Sequence, residues 1–310
     1  MSLQQTATIA ASLVAFILTV VKLVVGVMSG SVVVLASAID SVLDMIISLF
    51  NMFAIKNAQK AVDEEYNYGR GKIEGLASLF EGIIIILSGF FIIYQAIHNL
   101  IEEKPIAHLD YAMGVMVVSI VLTGFLVLFL NSVAKKTNNM VIKADALHYK
   151  SDLYTNIGII VSLALIHLTG LAVIDAVVSM MVALYIIVKA YELVKESYWV
   201  LMDRALEEEM VQKIRQVLDG IRGMSSYHYL RTRRSAHFNA VDVHLVFDEK
   251  ISLKDAHVIS DEVEARIRAL DPHSGWYFNV HLDPRDDSID YAKAIEREMN
   301  AGDPMLHHSN

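Results

Sequence analysis

Cysteine is absent from this 310-residue chain, which excludes disulfides, thiolate nucleophiles, iron–sulfur clusters and cysteine-type zinc sites. Charge is also scarce, with Asp, Glu, Lys and Arg making up 20% of the residues against 55% hydrophobic ones. Disordered chains show the reverse balance. There is no basic excess either: the formal charge is −9, which leaves no electrostatic footprint for a nucleic-acid partner. No repeat of fixed period occurs. His-Glu-x-x-His and Gly-x-Ser-x-Gly are missing as well, so two common hydrolase signatures are not available.

What the chain has is apolar length. Six stretches reach the roughly 20 mostly apolar residues that a spanning helix needs: Thr6–Met28, Val32–Ala54, Leu76–Ile101, Tyr111–Ala134, Leu147–Leu168 and Leu171–Val194. The first lacks a basic start and runs through Ser29-Gly30-Ser31 into the second, so it reads as a span rather than a cleaved signal. Basic residues cluster in alternate connections. Lys56, Lys60, Arg70 and Lys72 follow the second span, and Lys135, Lys136 and Lys143 follow the fourth; the third-to-fourth connection has only Lys104. This pattern predicts an α-helical membrane protein with both termini cytoplasmic. Lys22, inside the first span, reads as a side chain snorkelling to a boundary.

After Leu201 the composition changes. Eight of the 12 histidines lie beyond that point: His228, His237, His244, His257, His273, His281, His307 and His308. Apolar spacing there predicts helix over 207–221, strands over 227–232 and 240–247, helix over 253–270 and strand over 276–282. The order α-β-β-α-β is a small layered α+β domain. The expected division is a six-helix transmembrane domain over 1–204, a cytoplasmic domain over 205–285 and a polar, loose tail over 286–310.

The second span holds Asp40 and Asp44, and the fifth holds His148 and Asp152. Residues i and i+4 share one helix face. Each acid at the centre of a span costs about 2.5–3.5 kcal/mol on insertion scales, or about 7–10 kcal/mol for three left unpaired. A divalent cation removes that cost. Three carboxylates and one imidazole are the ligand types and number of a tetrahedral zinc site, and iron(II) and manganese(II) accept the same donors. Helix capping and a metal-free proton relay are the competing readings of these pairs; ten residues into a span, capping fits poorly. Asp175, at the start of the sixth span, reads as an N-cap or first-turn acid.

These residues, with Tyr68-Gly69-Arg70-Gly71-Lys72-x-Glu74, Ala144-Asp145-Ala146-Leu147-His148-Tyr149-x-Ser151-Asp152, Leu201-Met202-Asp203-Arg204, Leu230-Arg231-Thr232-Arg233 and Val280-His281-Leu282-Asp283-Pro284, resemble the cation diffusion facilitator family. The likeness runs over about residues 5–285 and is strongest to the bacterial ferrous-iron/zinc efflux branch. The resemblance implies a homodimeric, proton-coupled exporter in the bacterial inner membrane, with a ferredoxin-like cytoplasmic domain and no organic cofactor. It implies a transport site of Asp40, Asp44, His148 and Asp152. Cytoplasmic metal positions fall on His228, His244, His257, His281 and Asp283, and a dimer-holding charge pair on Lys72 and Asp203. Zn2+ or Fe2+ is the implied cargo, with Cd2+, Co2+ and Mn2+ open. His307 and His308 read as tail residues.

One stretch departs from the family pattern. A third metal site in the second-to-third loop would fall on Asp63, Tyr66 and Arg70, and Arg has no lone pair to donate. That third site is therefore expected to be absent, with Glu64 and Glu65 left as weak surface contacts for a cation. Two rival classes use the same residues: a non-transporting membrane sensor or scaffold that keeps the cytoplasmic sites, and an intramembrane metalloenzyme. The intact membrane quartet favours transport over the first, and occupation of all four ligand positions by protein favours it over the second.

Overall fold

The computed structural model describes residues 2–29, 32–102, 109–171, 173–235, 238–272 and 274–287. Residues 288–310, which include most of the expected tail with His307 and His308, lie outside the described residues, as do His237, His273 and Lys104. The chain forms two compact units that divide between Met202 and Asp203.

The first unit consists of six long helices: α1 (Leu3–Ser29), α2 (Val32–Ala58), α3 (Lys72–Glu102), α4 (Leu109–Thr137), α5 (Met140–Thr169) and α6 (Val173–Leu201). Among the described residues, stretches of α1, α2, α3, α4 and α6 are long and apolar enough to cross a membrane. The remaining long helix, α5, carries Lys143, Asp145, His148, Lys150 and Asp152 in its first half. At 30 residues it has about 45 Å of length, enough to span. Large apolar side chains such as Phe90, Phe91, Phe125 and Leu128 point outward, the arrangement a bilayer covers.

The helices outrun the apolar stretches that announce them. α5 begins at Met140, well before the apolar run at Leu147, because Asn139 caps it and its side chain accepts from the Ile142 N–H at 3.1 Å. At the other end Gly170 adopts φ 71° and its N–H returns to the Ile166 carbonyl, the left-handed cap that glycine provides without a Cβ penalty. α3 lies along α6, α1 along α2, and α5 touches α4, α6 and α3. The α3–α6 approach rests on two glycines seven residues apart. A Cβ at Gly82 would stand 2.7 Å from Val194 Cγ2, and one at Gly89 would stand 2.6 Å from Ile187 Cγ1. Small residues permit this closeness where dispersion contacts rather than the hydrophobic effect drive helix association in lipid.

The second unit follows the expected order: α7 (Glu208–Asp219), β1 (Ser226–Arg234), β2 (Phe238–Val246), α8 (Leu253–Arg268) and β3 (Gly275–Asp283). β2 is central, antiparallel to β1 and parallel to β3. Val241, Val243 and Leu245 of β2 pack with Ile214 and Leu218 of α7 and Val263 and Ile267 of α8. Trp276, Phe278, Val280 and Leu282 of β3 join the same core. Strand side chains alternate in direction, so the residues between them, His244 on β2 and His281 on β3, stand on the sheet face away from the helices.

Candidate metal centres

In the membrane unit α2 and α5 bring Asp44, His148 and Asp152 together, with one ligand-type atom from each inside a span of 4.8 Å. His148 Nε2 lies 3.1 Å from Asp44 Oδ1 and 3.9 Å from Asp152 Oδ2. The set is two anionic oxygens and one imidazole nitrogen, competent to bind a divalent transition metal with a position left over. Asp40, one turn before Asp44, is exposed and outside this group of three. The Lys22 ammonium donates to Ser41 Oγ at 2.8 Å; Lys22 therefore has a polar partner on α2, which the snorkelling expectation did not include. Asp175 is a first-turn acid of α6, as its position suggested, and accepts from Ser162 Oγ at 2.5 Å.

Sequence reasoning missed a second polar cluster in the same helices. Glu81 on α3 and Asp145 on α5 are both buried, and the Asn51 amide of α2 donates to Glu81 Oε2 and to Asp145 Oδ1, each at 2.8 Å. Glu81 lies five residues inside the third apolar stretch, with no acid or histidine four residues away to mark it. Asp145 stood in a quoted motif without a role. Between the two clusters, Ser48 Oγ and Tyr149 OH are 2.7 Å apart, and the tyrosine donates to the Ala11 carbonyl at 3.3 Å.

In the soluble unit the sheet register pairs His228 with His244 and His244 with His281, so three imidazoles stand in a row across three strands. Their ring centroids are 5.1 Å and 4.7 Å apart. Asp283, at the end of β3, reaches all three: 3.3 Å to His228 Nε2, 2.9 Å to His244 Nδ1 and 3.0 Å to His281 Nε2. β1 has a register shift just after His228, and Tyr229 there adopts φ 52°, a bulge that re-aims neighbouring side chains. The His228 side chain is 8% exposed and neither ring nitrogen makes a hydrogen bond. Buried polar atoms left open in this way fit a metal that supplies the missing partner. Asp286 and Asp287, outside every motif, approach the same ring at 3.6 Å and 3.2 Å. His257 stands apart on α8, exposed, 3.9 Å from Asp261.

In the α2–α3 loop Arg70 donates to Asp63 Oδ2 at 2.6 Å and its guanidinium lies 4.0 Å from the Tyr66 ring centre. The hydrogen bond from Arg70 holds the Asp63 carboxyl below the ordinary carboxylate range. Lys72 Nζ donates to the Leu201 carbonyl at 3.4 Å, and Asp203 lies 3.5 Å from Arg233.

Helices that span a membrane, an acid and imidazole cluster at their centre and a histidine-lined soluble domain define a membrane carrier of metal cations. Residues 8–202 match the cation efflux transmembrane domain, and residues 206–285 match the cytoplasmic domain of cation efflux proteins. The chain belongs to the cation efflux family. It is similar to the cation-efflux pump FieF of Salmonella paratyphi A, at 33% identity over 278 residues, covering 90% of this chain and 92% of that protein. FieF of Salmonella arizonae matches at the same identity and coverage. A solved zinc form of CzrB is 32% identical over 28% of this chain and 97% of its own, at a TM-score of 0.26. The protein is thus a multi-pass membrane protein of metal cation efflux.

Proposed function

We propose that the protein is a proton-coupled antiporter that exports a divalent transition metal, Zn2+ or Fe2+, from the bacterial cytoplasm across the inner membrane. Asp44, His148 and Asp152 form the core of the transport site, and Asp40, on the same face of α2, is the fourth ligand. The convergence of Asp44, His148 and Asp152 at one point on α2 and α5 carries this reading. Metal needs neutral imidazole and ionised carboxylates, so metal and protons compete for one set of lone pairs. Metal loads from the cytoplasm; protons displace it once the site faces outward, and the protonated site returns. His148 is the natural proton acceptor, since imidazole titrates near physiological pH.

His228, His244, His281 and Asp283, with His257, hold a resident metal in the cytoplasmic domain, residues 205–285, and that domain joins two copies of the chain. The open nitrogens of His228 and the shared carboxylate of Asp283 support this. A metal there biases transport only by binding two states of the dimer differently. Lys72 and Asp203 form the charge pair that ties the two parts of the dimer. The basic residues of the α2–α3 and α4–α5 connections support cytoplasmic termini.

The test is metal flux into proteoliposomes under an imposed pH gradient, with zinc, iron(II), manganese and cadmium supplied separately. The expected result is gradient-dependent zinc or iron flux that Asp44→Ala abolishes. Absence of flux for every metal, with tight binding retained, would establish a non-transporting sensor instead.

A further inference from the structure

The mechanism above uses one polar cluster of the membrane unit and leaves the other idle. Glu81, Asp145 and Asn51 come from three different helices, and all three side chains are buried: Glu81 is 2% exposed and the other two 0%. One oxygen of each group, Glu81 Oε1, Asp145 Oδ2 and the Asn51 carbonyl Oδ1, is buried without a hydrogen-bond partner. The amide is not an acid, and its open carbonyl adds a third unfilled acceptor to the two carboxyl oxygens. Three open acceptors and no donor among them describe a place where a positive charge is missing.

Among the described residues the positive group acting on Glu81 is His148, when protonated, and its ring is already shared by Asp44 and Asp152. The charged groups acting on Glu81 are Asp145 and His148 of α5 and Asp44 of α2. From α6, packed along α3, the atoms nearest the adjacent Gly82 belong to Val194, Ala190 and Leu193. Two ionised carboxylates sharing such a site are costly, because each loses its hydration and repels the other. A pair that interacts this strongly gives up its protons in two well-separated steps belonging to the pair. The intermediate state, one proton on two carboxyls, is the one the Asn51 amide accommodates: it donates one N–H to each.

We propose that Glu81 and Asp145, bridged by Asn51, form an intramembrane proton-binding site separate from the metal ligands, which releases its proton when a divalent cation occupies Asp44, His148 and Asp152. The inference rests on the transport reading given above. The two sites share α2 and α5, with Asp145 one turn from His148 and the Ser48–Tyr149 hydrogen bond between them. A divalent charge arriving there favours the doubly ionised pair, and the proton departs to water. When the metal leaves, the pair takes a proton back. Metal and proton need not touch the same atoms for their binding to oppose one another.

The experiment counts protons released on zinc binding to the full-length protein in lipid nanodiscs, in weak buffer with a pH dye, for wild type, Glu81→Gln and Asp145→Asn. Zinc bound at saturation is measured in parallel. Each variant is expected to release about one proton fewer than wild type at equal zinc occupancy, as linkage requires when a titrating site is removed. An unchanged proton count at equal occupancy in either variant would make the cluster a structural polar contact and overturn the proposal. Infrared difference spectra of the wild type need no variant to fold: zinc is expected to bleach a protonated-carboxyl band, and no such band at neutral pH overturns the proposal as well. Asp44→Ala separates the two levels. If it leaves membrane-site zinc binding intact, the transport-site assignment fails; if only the Glu81 and Asp145 variants behave as wild type, the proton site alone fails.

Discussion

The two histidine–carboxylate centres are built by opposite means. In the membrane unit the ligand-type residues come from helices and are spaced four apart within each, so one helix presents them in a column. In the soluble unit the imidazoles come one per strand, with Asp283 two residues beyond His281 on β3, and hydrogen-bonded register sets the imidazoles in a row. A strand cannot shift register by one residue without sending every side chain to the other face, so the row of His228, His244 and His281 is fixed once the sheet forms. Helices tilt and slide past one another without breaking their own hydrogen bonds. In the proposed antiport, the site that opens alternately to two sides is the one on helices, and the site that keeps its metal is the one on the sheet.

This contrast can be broken at its strongest point first. Asp44→Ala removes a carboxylate that the His148 ring faces, and zinc flux in proteoliposomes should fall by about 100-fold or more, the scale of a lost ligand rather than the 10–100-fold of an outer-shell loss. Zinc bound by the soluble unit, measured by calorimetry on the full chain, should stay the same. Asp283→Ala is the mirror experiment. It should weaken soluble-unit zinc binding by at least about 10-fold while leaving the zinc affinity of the membrane site unchanged; loss of both would show that the centres are not independent. Leu245→Ala removes core beneath the row of imidazoles and should cost about 2–5 kcal/mol, read as an earlier unfolding transition of the soluble unit. If soluble-unit zinc affinity survives that loss, register and not core packing holds the row. The smallest effect is expected at Arg70→Ala. It frees the Asp63 carboxyl, whose titration should return upward to the ordinary range near 4. Because the Arg70 partnership lowers that carboxyl in the folded chain, its stabilisation is present above the unfolded value and is lost as pH falls through the lowered one. Carboxyl resonances followed through an acid titration would read this, and zinc flux at neutral pH should not change.

How much was readable from sequence follows from the same contrast. The Asp44 and His148–Asp152 spacings were legible because helical neighbours are encoded within five residues. The soluble elements were legible too, since β2 and α8 show their periods plainly. The pairing of His228 with His244 and His281 was not, because it depends on strand order and on the bulge at Tyr229, which no local pattern announces. Asp286 and Asp287 were passed over since they follow Pro284 in a polar stretch with no periodicity. Glu81 was missed for a different reason: its carboxyl sits alone in its span, and a lone acid has no partner in sequence to mark it. The apolar stretches do not mark the helix ends where a cap extends the helix beyond them, as at Asn139.

The capped ends of α5 have one further consequence. α5 is one continuous helix from its Asn139 cap to its Gly170 cap, so the backbone spacing of His148 and Asp152 is that of one helical turn. The distance from that pair to Asp44 is set by how α2 and α5 pack. In the proposed transport site α5 is thus the fixed jaw of a caliper, and the packing of α2 against it sets the width offered to an ion.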